Sequence, residues 1–594
     1  MAVLRPPGLG PIIGATTDTT CRVWIRAGDP ADAGAILNSN RRTIGIIGLV
    51  GRNNRIGDAW YFRLQREYDR TGTFRLGADV DLGRHTLDIA AKKRAQPGKR
   101  VEKAAEPSPL APDMEYTVRL GTLTIDDPMP DEENLPDWQL RDRLPDIDAL
   151  KGELLRFTPA ESEATFRTFP AAGKALDRLV FFLGSCRYPG LLWKVKEADR
   201  IFGPMVDQLT QEPDDAARAR FTLMVGDQIY ADALNKSIPI LRADTYEEFQ
   251  ERYTTAFGAP NLRRLLKSAP AYMILDDHEI EDNWTQDRLR DEGKHVLFNI
   301  AISAYMSYQW SHGPRTWGQL LYYTFDCGNY PFFVLDTRTQ RFKDDSEGLR
   351  DNHMLGRPTI DPQHPGQLQR LVDWLSEQQK TQGDVPKFIV TSSVFVPNAI
   401  DERLDPFEPP PVDARFPMAP WPTGVESAVF DINRKRREGS DSWPAYPNTR
   451  TAVLRRIVEE KIQNVVFLAG DIHCSNVAEI EFEGEGLNDL KAFAVTSSAF
   501  YWPFPFADGD PNGYVHDSRA PGQTDPFPIL GTHATMHYRA FGFTQKDNFC
   551  RLEADRQTAS LTVRVFDRDG VPVKTADAKG KETSANVLKL APWK

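Results

Sequence analysis

Four short apolar runs in this chain each end on aspartate: LMVGD (223–227), AYMILDD (271–277), PFFVLD (331–336) and VVFLAGD (465–471). Runs of this kind mark strands buried on both faces, as in parallel sheets. Open α/β sheets place their ligands at the carboxyl ends of such strands. Packing alone does not call for an aspartate at four such ends, with His278 and His473 close by. The pattern predicts a metal site.

Composition narrows the rest. Length alone suggests roughly two to four domains. The chain of 594 residues carries 73 Lys and Arg against 84 Asp and Glu, a formal charge of −11. That balance argues against a nucleic-acid or anionic-membrane binder, which needs a basic surface. No stretch reaches the roughly 18 apolar residues of a membrane span. The five cysteines are widely spaced, without CxxC, which fits a reduced compartment better than a disulfide framework. The opening MAVLRPPGLGPIIG shows neither a secretory nor a twin-Arg signal. A cytoplasmic location is expected; the alternative is a secreted or periplasmic protein whose signal has been removed.

Residues 1–172 read as all-β. Residues 19–26 alternate, as do 116–124 and 164–169. Leu110, Pro112 and Tyr116 have the spacing of a tyrosine corner, which predicts an immunoglobulin- or fibronectin-like sandwich. Residues 30–105 and the acidic stretch 126–146 read as insertions or surface loops. Nothing in this part looks catalytic. After a short linker at 171–177, strands alternate with helices through 173–594. Strands are expected at 179–184, 388–392, 465–469 and 493–496, hairpins at 322–335 and 549–566, and helices at 193–209, 246–257, 261–267, 295–310, 367–379 and 450–461. The Pro-rich stretch 400–447 breaks the alternation and reads as a lid or binding loop.

Each strand end carries its own chemistry. Asp227 and Tyr230 offer a carboxylate and a phenolate, hard ligands that suit Fe³⁺; as a packing feature, Asp227 would be a helix N-cap. Asp232 reads as a cap or a supporting residue. Cys186, in GSCRYPG, is a thiolate ligand, a nucleophile or a small buried hydrophobe. A covalent cysteine mechanism lacks the expected phosphate-cradling loop. Asp276, Asp277, His278 and Glu279, followed by Asn283, are costly at a strand end unless a cation neutralises them; His278 is a ligand or a general acid. Arg338 suits phosphate oxygens or pairs structurally with Asp336. Asp471 and His473 repeat the strand-end pattern, whereas Cys327 and Cys474 read as packing residues. Together the set can hold two or more cations and hydrolyse phosphate esters, with Asp227 the natural bridge.

GSC, GDQIYAD, DDHE with a following Asn, LDTR, AGDIH and VTSS, with SWPAYPNTR at 442–450, resemble in that order the alkaline phosphatase D (PhoD-like) family. The resemblance implies a β-sandwich followed by a calcineurin-like, purple-acid-phosphatase-like metallophosphatase domain with two stacked sheets flanked by helices. It implies Fe³⁺ held with Ca²⁺ or another divalent metal. By motif, Cys186, Asp227 and Tyr230 would ligate iron with Asp471 or His473. Asp277 and Asn283 would hold the divalent ion, while His278 and Arg338 would contact the phosphoryl group. The twin-Arg signal of secreted members is missing, and the C-terminus NVLKLAPWK is not their lid helix. The expected protein hydrolyses small phosphomonoesters, and diesters where room allows, by attack of metal-bound hydroxide. The rivals are a non-catalytic metal-binding scaffold, a phosphodiesterase- or phospholipase-type specialist, and a binding module in residues 1–172 that could coexist with the enzyme.

Overall fold

The structure is a computed structural model that describes residues 3–28, 42–65, 68–77, 108–125, 144–189, 195–232, 242–318, 320–343, 352–357, 365–397, 441–504, 514–520 and 526–593. The expected lid at 400–447 falls outside these residues up to 440.

Two sheets stack face to face. The first has six strands in the order Ala271–Ile274, Thr222–Val225, Arg178–Gly184, Asn548–Asp555, Ser560–Asp567 and Asn586–Lys589. Its first three strands run parallel and the others antiparallel. The second has eight strands around a parallel centre of Tyr330–Val334, Lys387–Val390, Val465–Ala469 and Lys491–Thr496. Phe181, Val225, Phe332, Phe388, Leu468 and Leu552 fill the space between them. Because every residue of Thr222–Val225, Ala271–Ile274 and Val465–Ala469 is buried, these strands need side chains that are apolar on both faces.

Helices cover the outer faces. Phe202–Gln211, Tyr246–Gly258, Pro260–Leu266 and Glu292–Tyr308 lie on the first sheet, and Gln367–Gln382 and Pro447–Glu459 on the second. The helix expected at 193–209 is divided at Ile201 into Val195–Arg200 and Phe202–Gln211. Sequence reading missed the strands Ser475–Glu483, Thr535–Thr544 and Asn586–Lys589.

The N-terminal β region packs a sheet of Leu9–Thr16, Thr20–Arg26 and Thr71–Gly77 against a second sheet. That sheet holds Val3–Arg5, Glu115–Ile125, Arg42–Val50, Ile56–Arg63 and Glu163–Arg167. Three of these strands fall inside 30–105, which the sequence reading had set aside as loops and insertions. Glycines hide the strand character of Arg42–Val50: a Cβ on Gly45 would sit 2.4 Å from the Phe62 ring, so the aromatic fills the place of a side chain. The region is also not a free-standing module. Leu9, Ile12 and Trp24 enter the core beneath the helices of the first sheet, and the Trp24 indole N–H donates to the Ser307 carbonyl at 2.9 Å.

Candidate metal centre

The parallel strands of both sheets deliver their C-terminal loops to one cleft. Close approach there depends on glycine. At Gly226, with φ 100°, a Cβ would lie 2.3 Å from the Cβ of Asp276; at Gly470 it would lie 2.3 Å from Ser185 Oγ. The residues that follow are bent into the left-handed region: Cys186 (φ 56°), Asp227 (55°), Asn283 (55°), Asp471 (77°) and His473 (53°). Asp, Asn and His tolerate this conformation better than most residues, but Cys rarely adopts it, and such strain gathers at functional sites.

Three groups of donors result. Cys186, Asp227 and His473 each offer a ligand atom within 4.8 Å of the others; so do Asp227, Asp277 and His278, and so do Asp276, Asp277 and Asp471. Asp227 and Asp277 each belong to two of them. The Cys186 thiol donates to Asp227 Oδ2 at 3.4 Å, and the Tyr230 hydroxyl donates to the same oxygen at 3.3 Å. Tyr230 Oη also lies 3.2 Å from His473 Nε2. His473 stacks on Trp502 with centroids 3.5 Å apart, and Tyr230 stacks on His278 at 4.2 Å.

His278 Nδ1 is 2.7 Å from Asp232 Oδ1, while Asp232 Oδ2 accepts from the Asp282 N–H at 2.6 Å. Asp232 therefore fixes the ring, as its supporting role in the sequence reading anticipated. Asn283 donates its backbone N–H to Asp277 Oδ2 at 2.6 Å and its carboxamide N–H to Asp282 at 3.1 Å. Its side chain is directed at a neighbour rather than into the donor groups.

Arg338 differs most from its expected place. It is fully buried and donates to Asp276, to Asp441 at 2.7 Å and to Asp471 at 3.3 Å. Asp336 accepts instead from the backbone N–H groups of Arg338 and Thr339. Asp441 was not foreseen, although it stands one residue before the SWPAYPNTR motif.

Burial and mutual repulsion govern titration. Burial holds the Asp227 carboxyl well above the carboxylate range; Asp277, Asp276 and Glu279 add to this and His278 opposes it. Asp471 is raised by burial, Asp441 and Asp276, and the Cys186 thiol by burial, Asp227 and Asp471. Burial would drive the proton from His278, but Asp232, Asp277 and Asp227 outweigh it and raise its pKa well above the ordinary value. His473 is pushed down to about 3 by burial and by His278. Asp276 Oδ2 is buried without a hydrogen-bond partner. Asp277 is an exception: burial would raise it, but Arg338 and His278 outweigh that and lower it. Carboxyls and a thiol raised by burial, mixed with phenol and imidazole, fit bound cations, which would lower the raised carboxyl and thiol values.

A model of the family described as PhoD-like phosphatase matches residues 201–502, about half of the chain. This chain belongs to the PhoD-like phosphatase family. Alkaline phosphatase D of Bacillus subtilis (strain 168) is 22% identical over 339 residues, which cover 54% of this chain and 50% of the relative. The chain thus spans about half the length of that curated relative. A solved structure of PhoD superimposes with a TM-score of 0.58 at 16% identity, over 99% of this chain and 94% of the other. That likeness shows a shared metallophosphatase-like fold. A purple acid phosphatase from yellow lupin (Lupinus luteus) seeds gives a TM-score of 0.48 at 10% identity, over 98% and 75%.

Proposed function

We propose that the protein is a metal-dependent phosphoesterase that hydrolyses small phosphomonoesters, with phosphodiesters as a second substrate class. The observation that carries this reading is Asp227, whose carboxylate is shared by two donor groups. A carboxylate within reach of two donor groups could be held in common by two metal ions of a two-metal site. Fe³⁺ would sit with Cys186, Asp227, Tyr230 and His473 or Asp471. Ca²⁺ or another divalent ion would sit with Asp227 and Asp277, and Asn283 would join it by turning its carboxamide from Asp282. When bound, the ions polarise the phosphoryl oxygens and supply a nucleophilic water at neutral pH.

The remaining work falls to the chain itself. His278, oriented through Nδ1 by Asp232, would hand the proton on Nε2 to the leaving alkoxide. Trp502 packs against His473 and shields one side of the cluster. Contact between Arg338 and the phosphoryl group, as the motif implies, would require Asp441 or Asp471 to release the guanidinium; held as it is, Arg338 fixes those carboxylates. The Ala111 N–H donating to Tyr116 Oη at 2.7 Å supports the immunoglobulin- or fibronectin-like reading of the N-terminal sheets. The five cysteines are buried and form no disulfide, which supports a reduced, cytoplasmic setting. Among the described residues no helix is long and apolar enough to cross a membrane.

The test is metal analysis and a visible spectrum of the purified protein, with hydrolysis of p-nitrophenyl phosphate and its bis-ester. A violet band lost in Tyr230→Phe is expected for tyrosinate on iron. Asp227→Asn is expected to lower kcat/KM by roughly three orders of magnitude, about 4 kcal/mol, and to lose both metals. A protein that binds metal after reconstitution but cleaves neither ester would return the fold to the metal-binding scaffold reading.

A further inference from the structure

Glu279 is the one acid of the DDHE motif that takes no place in the donor groups, yet it is 0% exposed. Its carboxylate accepts four hydrogen bonds. Oε1 takes the Gln228 N–H at 2.7 Å and the Gln309 carboxamide at 3.1 Å; Oε2 takes the Asp227 N–H at 3.1 Å and the Asp276 N–H at 2.9 Å. The left-handed φ values at Gly226 and Asp227 turn the successive amides of Asp227 and Gln228 to one side. Adjacent N–H groups so arranged form a concavity that binds anions. Here the anion is a side chain from the neighbouring loop.

The geometry points to Glu279 as a positioning residue that clamps the Asp227 loop to the Asp276–Asp277 loop and so sets the spacing of the two donor groups that share Asp227. This deepens the phosphoesterase reading and rests on it for the meaning of that spacing. The hydrogen bonds reach both loops at once, and no other described side chain accepts from the backbone of both. Gln309, 1% exposed, anchors the clamp: its Nε2 donates to Glu279 and to Tyr253 Oη, each at 3.1 Å, while its Oε1 has no hydrogen-bond partner. A carboxamide kept for its donor end alone is held there by what it donates to.

Three substitutions separate clamping from charge and from core filling. Glu279→Gln can keep the Asp227 and Asp276 bonds on its oxygen; its amide then faces Gln309, which can flip to accept, and gives up the Gln228 N–H that shared Oε1. Glu279→Asp keeps the charge but is one methylene too short to reach both loops. Glu279→Leu fills the space and accepts nothing. Amide hydrogen exchange of the metal-stripped proteins, read in peptides spanning 223–232 and 272–283, tests the clamp whatever the fate of the hydrolase reading. Exchange is expected to rise at least tenfold in both peptides together for Asp and Leu, and for Gln less than threefold in 272–283, with any larger rise in 223–232 confined to the Gln228 amide.

Titration of Mn²⁺ into the same stripped proteins then tests the spacing. Affinity within about threefold of the parent is expected for Gln, and a loss of thirtyfold or more for Asp, with kcat on p-nitrophenyl phosphate falling further than KM rises. Unchanged exchange in the Asp variant overturns the clamp. So does a Gln variant that loses Mn²⁺ as fully as Asp, which would make charge the cause. A parent protein that binds no Mn²⁺ and cleaves no ester, but shows the expected exchange pattern, sinks the hydrolase reading and leaves the clamp in place.

Discussion

On the first-sheet side of the cleft, Asp227, Gln228 and Asp276 hand their backbone N–H groups to Glu279. On the second-sheet side the counter-charge is a side chain, Arg338, spread over Asp276, Asp441 and Asp471. Backbone donors fix position, because they move only when the loop moves. A buried guanidinium fixes charge, because the buried Asp276 and the partly buried Asp441 and Asp471 share it as their cation. One wall of the site is therefore shaped by conformation and the other by electrostatics, and substitutions should expose the difference.

The largest effect is expected on the electrostatic wall. Arg338→Met takes the cation from the buried Asp276 and the partly buried Asp471, while Asp441 keeps Arg341 at 3.4 Å, a change worth roughly 3–5 kcal/mol. Unfolding of the metal-free protein should show this loss, and bound metal should recover part of it. An unchanged melting curve would mean that the carboxylates do not depend on Arg338.

Asp232→Asn should cost less, roughly 10–100-fold in turnover, the usual scale for a group that orients another. The sign of its pH effect is set by the shift at His278. Asp232 raises the His278 pKa, so its loss lowers the pH at which the imidazole gives up its proton. If that proton serves the leaving group, the alkaline limb of kcat moves to lower pH. A profile that scales down without moving would take His278 out of the acid role.

Smallest is Trp502→Ala. It removes the stack on His473 and is expected to weaken Mn²⁺ binding by only a few-fold, in keeping with roughly 0.5–1.5 kcal/mol for such pairs. A loss as large as that from Asp227→Asn would make Trp502 part of the ligand-holding frame.

Much of this was legible in the chain because buried parallel strands announce themselves as apolar runs and a strand end exposes whatever follows. Cys186, Asp227, Tyr230, Asp277, His278, Asp471 and His473 converge for that reason. The long-range partners were not legible. Nothing local distinguishes an Arg338 bound for phosphate from one that binds Asp441, because the choice depends on a residue 103 positions away. Glu279 looked like one more acid in a row, since the amides it collects belong to a turn whose handedness is set by Gly226 packing on Asp276. The strands of the N-terminal region were obscured by glycines that make room for aromatic rings, a pairing visible only once both strands are in place.

The embrace between Trp24 and the helix Glu292–Tyr308 has a consequence for synthesis. The indole and the carbonyl it bonds are 283 residues apart. At roughly 5–20 residues per second, the ribosome delivers the second about 15–60 seconds after the first. Through that interval the strand Thr20–Arg26 has no cover for the face that carries Trp24, so nascent chains arrested short of this helix should be cut by protease near Trp24, and chains that extend past it should not. A strand made 283 residues ahead of its partner is finished only when that partner arrives.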